Sequence, residues 1–348
     1  MKGVQPPRLV RALIPVVIGL GVVGFIFWQA VSEHGGWDVV SRNVTIRHWP
    51  LALGTLIGLV FVRDLGYVLR LRYLSNRCLT WRQAIETTVL WEFASAITPG
   101  IVGGGAVAIW GLHRQGLSAG QSTSIVFATA LLDEIFYVVL VPLLMLTWGA
   151  AAAPEDLDNV LGWGVFWLGW GLLLVLSILI ALGLLVAPQT IHAAILRMAR
   201  WTWMKRWRSS MAHFADDLLE SAQKIKALPK RLWLAAMTAT VASWTARFLS
   251  LVAVMAMVVA PLTALEPLVI VARQMVMWIY LLISPTPGSS GLAEWLLGVF
   301  FSPWFSLSPS PIAPAVTMLI WRLATHFIYL LIGVLVIPGW LQRTRRVS

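Results

Sequence analysis

An all-α polytopic membrane protein is what this sequence predicts: about eight transmembrane helices plus two re-entrant half-helix hairpins arranged as an inverted repeat. Three observations predict it. The chain is 59% hydrophobic and 12% charged, with mean hydropathy +0.80, which is more apolar surface than a soluble domain needs and what a lipid-facing exterior requires. Its basic residues are concentrated on alternate sides of the apolar runs. The tripeptide Thr-Pro-Gly occurs twice, each time at the end of a helix-like stretch.

Each element follows in order. The start, "MKGVQPPRLVRALIPVVIGLGVVGFIFWQAV", is basic and then apolar for roughly twenty residues. It is long for a secretory signal and lacks a small-x-small cleavage site, so it reads as an uncleaved first helix. Candidate spans cover 10–31, 49–71, 82–98, 119–148, 160–187, 231–259, 265–284 and 312–338. Two shorter apolar pieces, 101–112 and 289–302, each follow a Thr-Pro-Gly and are too short to cross alone. They read as half-helices returning to the side they came from. Domain organisation follows: 1–150 is the first repeat with its break at 98–112, and 151–187 is the first span of the second. Residues 188–230 form a basic, tryptophan-rich segment on the cytoplasmic face, and 231–348 complete the second repeat, with its break at 285–302, and a basic tail.

With the N-terminus inside, 20 of the 26 Lys and Arg fall in cytoplasmic segments, two (Arg42 and Arg47) fall outside, and four lie within spans. That asymmetry predicts an inner-membrane protein with both termini cytoplasmic. The net charge of +11 then reflects topology and anionic-lipid contact rather than nucleic acid.

The repeat rests on more than a tripeptide. "AIETTVLWEFASAITPG" aligns without a gap on "ARQMVMWIYLLISPTPG", and Arg63 and Arg247 precede their breaks by 35 and 39 residues. The charge distribution makes the halves face opposite ways, which is a transporter design; chance likeness between apolar helices is the alternative. Broken backbone in a membrane is tolerated where it lines a cavity or is buried in protein. The half-helices beginning at "GIVGGGA" and "GSSGLA" present unpaired N–H groups with little side-chain bulk, suited to a phosphate or carboxylate. Candidate substrate-binding residues are therefore Thr98, Gly100, Gly103, Gly104, Thr286, Gly288, Ser289, Ser290 and Gly291, with Arg273 and Arg322. A kink that eases packing is the plainer reading of either break.

Arg63, Asp64, Glu92, Asp133, Glu134, Arg247, Arg273, Glu294, Arg322 and His326 all fall inside predicted spans. Each charge costs at least about 2.5 kcal/mol at the bilayer centre unless paired or wet. Five acids against four arginines point to internal pairing, structural or functional. Asp133 and Glu134 project about 100° apart and need not share a partner. Arg322 and His326 share a helix face. Glu294 and Arg322 are the leading functional candidates, the arginine as a fork for phosphate, the carboxyl as its positioner or a proton carrier. The six histidines show no ligand spacing, and the one cysteine, Cys78, excludes an intrachain disulfide. No metal, cofactor, nucleotide-binding motif or catalytic constellation is expected.

Three stretches resemble the lysylphosphatidylglycerol synthase transmembrane-domain family, the flippase-like UPF0104-type membrane proteins. They are "ITPGIVGGGAVAIWGLHRQGLSAGQSTSIVFATALLDEIF", "SPTPGSSGLAEW" and the arginine of "MLIWRLATHFIYLLIG". Positions matching the family pattern are Pro99, Gly100, Asp133, Pro287, Gly288, Gly291, Glu294 and Arg322; Ser289 and Ser290 stand where the family usually has glycines. The resemblance implies translocation of an anionic-headed lipid, of phospholipid or polyprenyl-phosphate type. In fused members a synthase domain follows, whereas this sequence ends at "QRTRRVS", so the lipid-moving half is what the resemblance implies. Expected partners are membrane lipids and a lipid-synthesising enzyme. An intramembrane lipid-modifying enzyme and a non-transporting assembly factor are the alternatives.

Overall fold

The computed structural model of the chain describes residues 21, 24–25, 27–29, 31–33, 49–98, 102–154, 160–259, 262–282, 284, 286, 288–308 and 310–344. Most of the expected first span, the loop carrying Arg42 and Arg47, and Pro99, Gly100 and Pro287 lie outside them. Among the described residues the secondary structure is helical, with no strand.

Helix α1 runs Trp49–Leu74, α2 Trp81–Ile97, α3 Val102–Arg114 and α4 Ala119–Trp148. Local chemistry sets two of the starts. Thr80 caps α2 and Ser118 caps α4, each in a capping box with a glutamine three residues on, Gln83 and Gln121. Helix α5, Val160–Ala181, ends in a π turn over Leu182–Val186 before Pro188 opens α6, Pro188–Met198. Helix α7 is Arg208–Lys226 and α8 is Lys230–Val258. Then come α9 (Glu266–Leu282), α10 (Leu292–Phe300), α11 (Ser302–Phe305), α12 (Ala313–Arg322), a π turn over Leu323–Phe327, and α13 (Ile328–Thr344).

Among the described residues five helical stretches are long and apolar enough to span a bilayer: Trp49–Leu74, Ala119–Trp148, Gly162–Val186, Lys230–Val258 and Ala313–Thr344. At 1.5 Å per residue, the 26 residues of α1 reach about 39 Å. The expected spans at 82–98 and 265–284 form α2 and α9, 17 residues each, and each is followed by a shorter helix.

Helices α4 and α8 are central. Of their most apolar stretches 61% is buried, against 22% for α5, whose Leu168, Leu172, Val175 and Leu179 remain exposed as a lipid-facing stripe. Helix α8 packs along α1, and Ser243 of α8 donates to the Arg63 carbonyl at 3.0 Å. One apolar core joins α8, α9, α10, α12 and α4; a second fills the space between α1, α2, α3, α4 and α7.

Segment 188–230 folds as α6 and α7 with a 3-10 turn, Thr202–Trp207, between them. Trp201, Trp203 and Trp207 are exposed beside Arg206 and Arg208. Helix α7 docks on the start of α4: Asp217 accepts from the Ser118 hydroxyl at 2.6 Å and from the Gly120 N–H at 2.5 Å. That carboxylate sits where the free N–H groups of α4 favour negative charge.

Candidate functional site

The two breaks are built differently. At the first, Thr98 ends α2 and its hydroxyl turns back to the Ala94 carbonyl at 2.6 Å. A Cβ at Gly103 would lie 2.0 Å from Thr98 Oγ1, and one at Gly104 2.0 Å from Ser95 Oγ. The lack of bulk at these glycines lets α3 fold back against the side chains of α2.

At the second, the backbone turns through positive φ at Gly288 (56°), Ser289 (55°) and Gly291 (88°). Ser289 is a side-chain-bearing residue in the left-handed region, a strained conformation that the surroundings must hold. They do so with side chains. The Thr286 hydroxyl donates to the Ser290 carbonyl at 2.9 Å, and the Ser289 hydroxyl donates to the Leu281 carbonyl at 3.3 Å. Glu294 Oε2 accepts from the Gly291 N–H at 2.5 Å. Arg322 then ties the turn from α12: Nε donates to Glu294 Oε1 at 2.7 Å, Nη1 to the Gly288 carbonyl at 3.1 Å and Nη2 to the Ser289 carbonyl at 3.4 Å. Both side chains of the pair are buried. A Cβ at Gly288 would meet His326 Cε1 at 2.2 Å and the Ala96 carbonyl at 3.0 Å, so the second break reaches the end of the first.

Between the breaks lies a cavity of about 560 Å³. Thr98, Gly288, Ser289, Arg322 and His326 line it, together with Glu92, Asp133, Glu134 and Arg247. His326 sits in the π turn that follows Arg322, a local widening of the helix.

Ion pairs account for most of the buried charge. Arg63 meets Asp64 at 3.2 Å, Glu92 at 3.5 Å and the Thr325 carbonyl at 3.5 Å, with its guanidinium 4.5 Å from the Tyr329 ring centroid. The Tyr329 hydroxyl donates to Asp64 at 2.7 Å. Asp133 pairs with Arg70 and accepts from Trp244 Nε1 at 2.6 Å.

Two groups stand apart. Arg247 donates to the Tyr67 hydroxyl at 3.1 Å and lies over the Trp244 and Trp278 rings, at 5.2 and 4.6 Å. Glu134, 7% exposed, accepts from the Ser177 hydroxyl at 3.1 Å. Among the described residues neither makes a salt bridge.

A family model described as "Lysylphosphatidylglycerol synthase TM region" matches residues 13–333. The chain belongs to the lysylphosphatidylglycerol synthase TM region family. It is a multi-pass membrane protein. It is also similar to a "UPF0104 membrane protein" of Archaeoglobus fulgidus, 27% identical over 140 residues, a match spanning 39% of this chain and 41% of that relative.

In this family member the sequence-predicted residues divide. The expectation that Asp133 and Glu134 need not share a partner agrees with the geometry, since one meets Arg70 and the other Ser177. Arg273, expected among the substrate-binding residues, sits away from the cavity wall. It donates to the Ala151 carbonyl and the Phe300 carbonyl, each at 2.8 Å, and does not line the cavity; Gln274, one position on, points there instead. Ser290 and Gly291 shape the turn without lining the cavity. Arg70 is a residue the sequence reading did not put in the site. Counted among cytoplasmic basic residues, it is 6% exposed and paired with Asp133. Arg63, Tyr67 and Arg70 recur at helical spacing, a signal that was present in the sequence. Tyr67, Gln274 and Tyr329, also in the cavity wall, carried no charge to mark them.

Proposed function

We propose that this protein translocates a lipid with an anionic headgroup, of phospholipid or polyprenyl-phosphate type, across the cytoplasmic membrane, with both termini cytoplasmic. One observation carries the reading. The Arg247 guanidinium faces a cavity large enough for a headgroup and has no carboxylate within ion-pair distance among the described residues. A buried arginine held by aromatic faces and one phenol retains donors suited to phosphate oxygens. With Arg70 paired to Asp133 and Arg322 to Glu294, Arg247 is the cavity-lining arginine without a salt bridge among the described residues.

The inverted repeat expected from the sequence fits the same reading. Arg63 and Arg247, 35 and 39 residues ahead of their breaks, lie on α1 and α8, which pack together, and the second break comes close to the end of α2 where Gly288 meets Ala96. Eight spans with re-entrant hairpins alternating in exposure would carry the head across while the tails stay in lipid. Here Arg322 and Glu294 hold the second break in shape, and Arg247 takes the head.

The test uses purified protein in liposomes containing headgroup-labelled phosphatidylglycerol, with dithionite added outside. Loss of the inner-leaflet signal in wild type, slowed in Arg247→Gln, is the expected result. Equal bleaching in both, or none in either with phospholipid and polyprenyl-phosphate probes, would sink the proposal.

A further inference from the structure

We infer that Gln274 and Tyr137 read a hydroxyl on the lipid headgroup, so that the preferred substrate carries a neutral alcohol beside its phosphate; the inference rests on the reading of Arg247 as the anion site. The observation is a set of polar atoms buried without a protein partner. Gln274 is 2% exposed and Tyr137 3%. Both line the cavity, and neither Gln274 Oε1 nor the Tyr137 hydroxyl has a hydrogen-bond partner among the described residues. By contrast, Thr88, Thr98, Thr129 and Thr325 in the same wall each donate to the carbonyl four positions back. A buried polar group left without a partner costs stability, and a ligand that partners it returns that cost.

The two groups border the aromatic pair that carries Arg247. The guanidinium lies 5.2 Å from the Trp244 ring centroid and 4.6 Å from that of Trp278. The Tyr137 ring meets Trp244 edge-on at 5.0 Å between centroids, and Trp244 meets Trp278 at 5.6 Å. Arg247 and Tyr137 are also within electrostatic reach of one another. Gln274 precedes Trp278 by one turn of α9, and residues four apart share a helix face. A headgroup held at Arg247 therefore has the amide and the phenol as neighbours. His326, in the same wall, packs against Gly288 at the second break.

The donor and acceptor types select the group. Arg70 Nε and Trp321 Nε1, also buried in the cavity wall without partners among the described residues, are donors only and suit phosphate oxygens, as Arg247 does. Gln274 Oε1 is an acceptor, which a phosphate oxygen repels and a donor satisfies. An ammonium would donate but would bring a positive charge beside Arg247, and a quaternary ammonium has no N–H to give. An alcohol donates without charge. It also accepts, so it satisfies the amide whichever way the carboxamide is turned, and it pairs with the phenol in either role. The set matches a phosphodiester joined to glycerol or another polyol.

The experiment titrates the full chain, in nanodiscs of phosphatidylcholine, with short-chain phosphatidylglycerol and with short-chain phosphatidylmethanol, which has the same single charge and no hydroxyl. Wild type should bind phosphatidylglycerol about tenfold more tightly. Gln274→Met and Tyr137→Phe should each shrink that preference by weakening phosphatidylglycerol alone. Each variant should also melt at the same temperature or higher before lipid is added, because a buried polar atom without a partner has been removed. Equal affinity for the two lipids in wild type, or variants that weaken both alike or leave the preference intact, overturns the inference and leaves the anion site standing. So does a lower melting midpoint in both variants, which would make the two groups part of the folded framework. No binding of either lipid, or binding unchanged in Arg247→Gln, removes the anion site and the inference with it.

Discussion

Arg322 Nε lies 2.7 Å from Glu294 Oε1, and the other oxygen of that carboxylate accepts from the Gly291 N–H. One carboxylate thus caps the half-helix that carries it and anchors the arginine that ties down the preceding turn. Removing either partner strands a buried charge. Arg322→Ala is expected to lose about 3–5 kcal/mol of stability, seen as a lower unfolding midpoint in detergent. Glu294→Gln combined with Arg322→Met should lose less than the sum of the single changes, because both act on one interaction.

Arg247 should behave in the opposite way. It has no buried carboxylate to strand, so Arg247→Gln is expected to shift the unfolding midpoint little. It should weaken binding of phosphatidylglycerol by about 1.5–3 kcal/mol, roughly 10- to 150-fold, the range for a hydrogen bond to a charged group. Comparison of thermal melts with lipid titrations separates the two effects.

The crossing of α1 and α8 depends on Gly66. A Cβ there would lie 2.1 Å from Ser243 Oγ and 2.6 Å from the Ala239 carbonyl. The hydroxyl can turn aside, but the backbone carbonyl cannot. Gly66→Ala is expected to destabilise by about 1–3 kcal/mol, and Gly66→Ala with Ser243→Ala should recover only part of it in the same melts.

Asp217 fastens α7 to the N-terminus of α4. Asp217→Ala is expected to cost about 1 kcal/mol, as for loss of a helix cap. Hydrogen exchange should rise across 208–226 while α8 stays protected. Unchanged exchange in α7 would show that apolar packing alone holds it.

Cys78, the single cysteine and exposed, lies in the turn between α1 and α2. The proposed orientation places that turn in the cytoplasm. A membrane-impermeant maleimide should label it in inverted vesicles and not in intact cells. The reverse pattern would invert the topology and, with it, the direction each hairpin faces.

The membrane class, the helices and both breaks were legible in the sequence, because hydropathy, capping boxes and Pro-Gly interruptions act over a few neighbouring residues. Thr80 and Ser118 begin their helices through side chains three positions from their glutamines, and that is local chemistry. The tertiary structure alone decided which charges meet. Successive side chains on a helix differ by about 100°, so Arg273 and Gln274 face different surroundings and only the second lines the cavity. Arg70, one turn beyond Tyr67 and counted as cytoplasmic, is drawn inside by Asp133 from a helix 63 positions away. The same packing joins Arg322 to Glu294 and leaves Arg247 and Glu134 facing one cavity without ion-pair partners among the described residues. A linear pattern lists the charges; the distances that pair them exist only once the helices have packed.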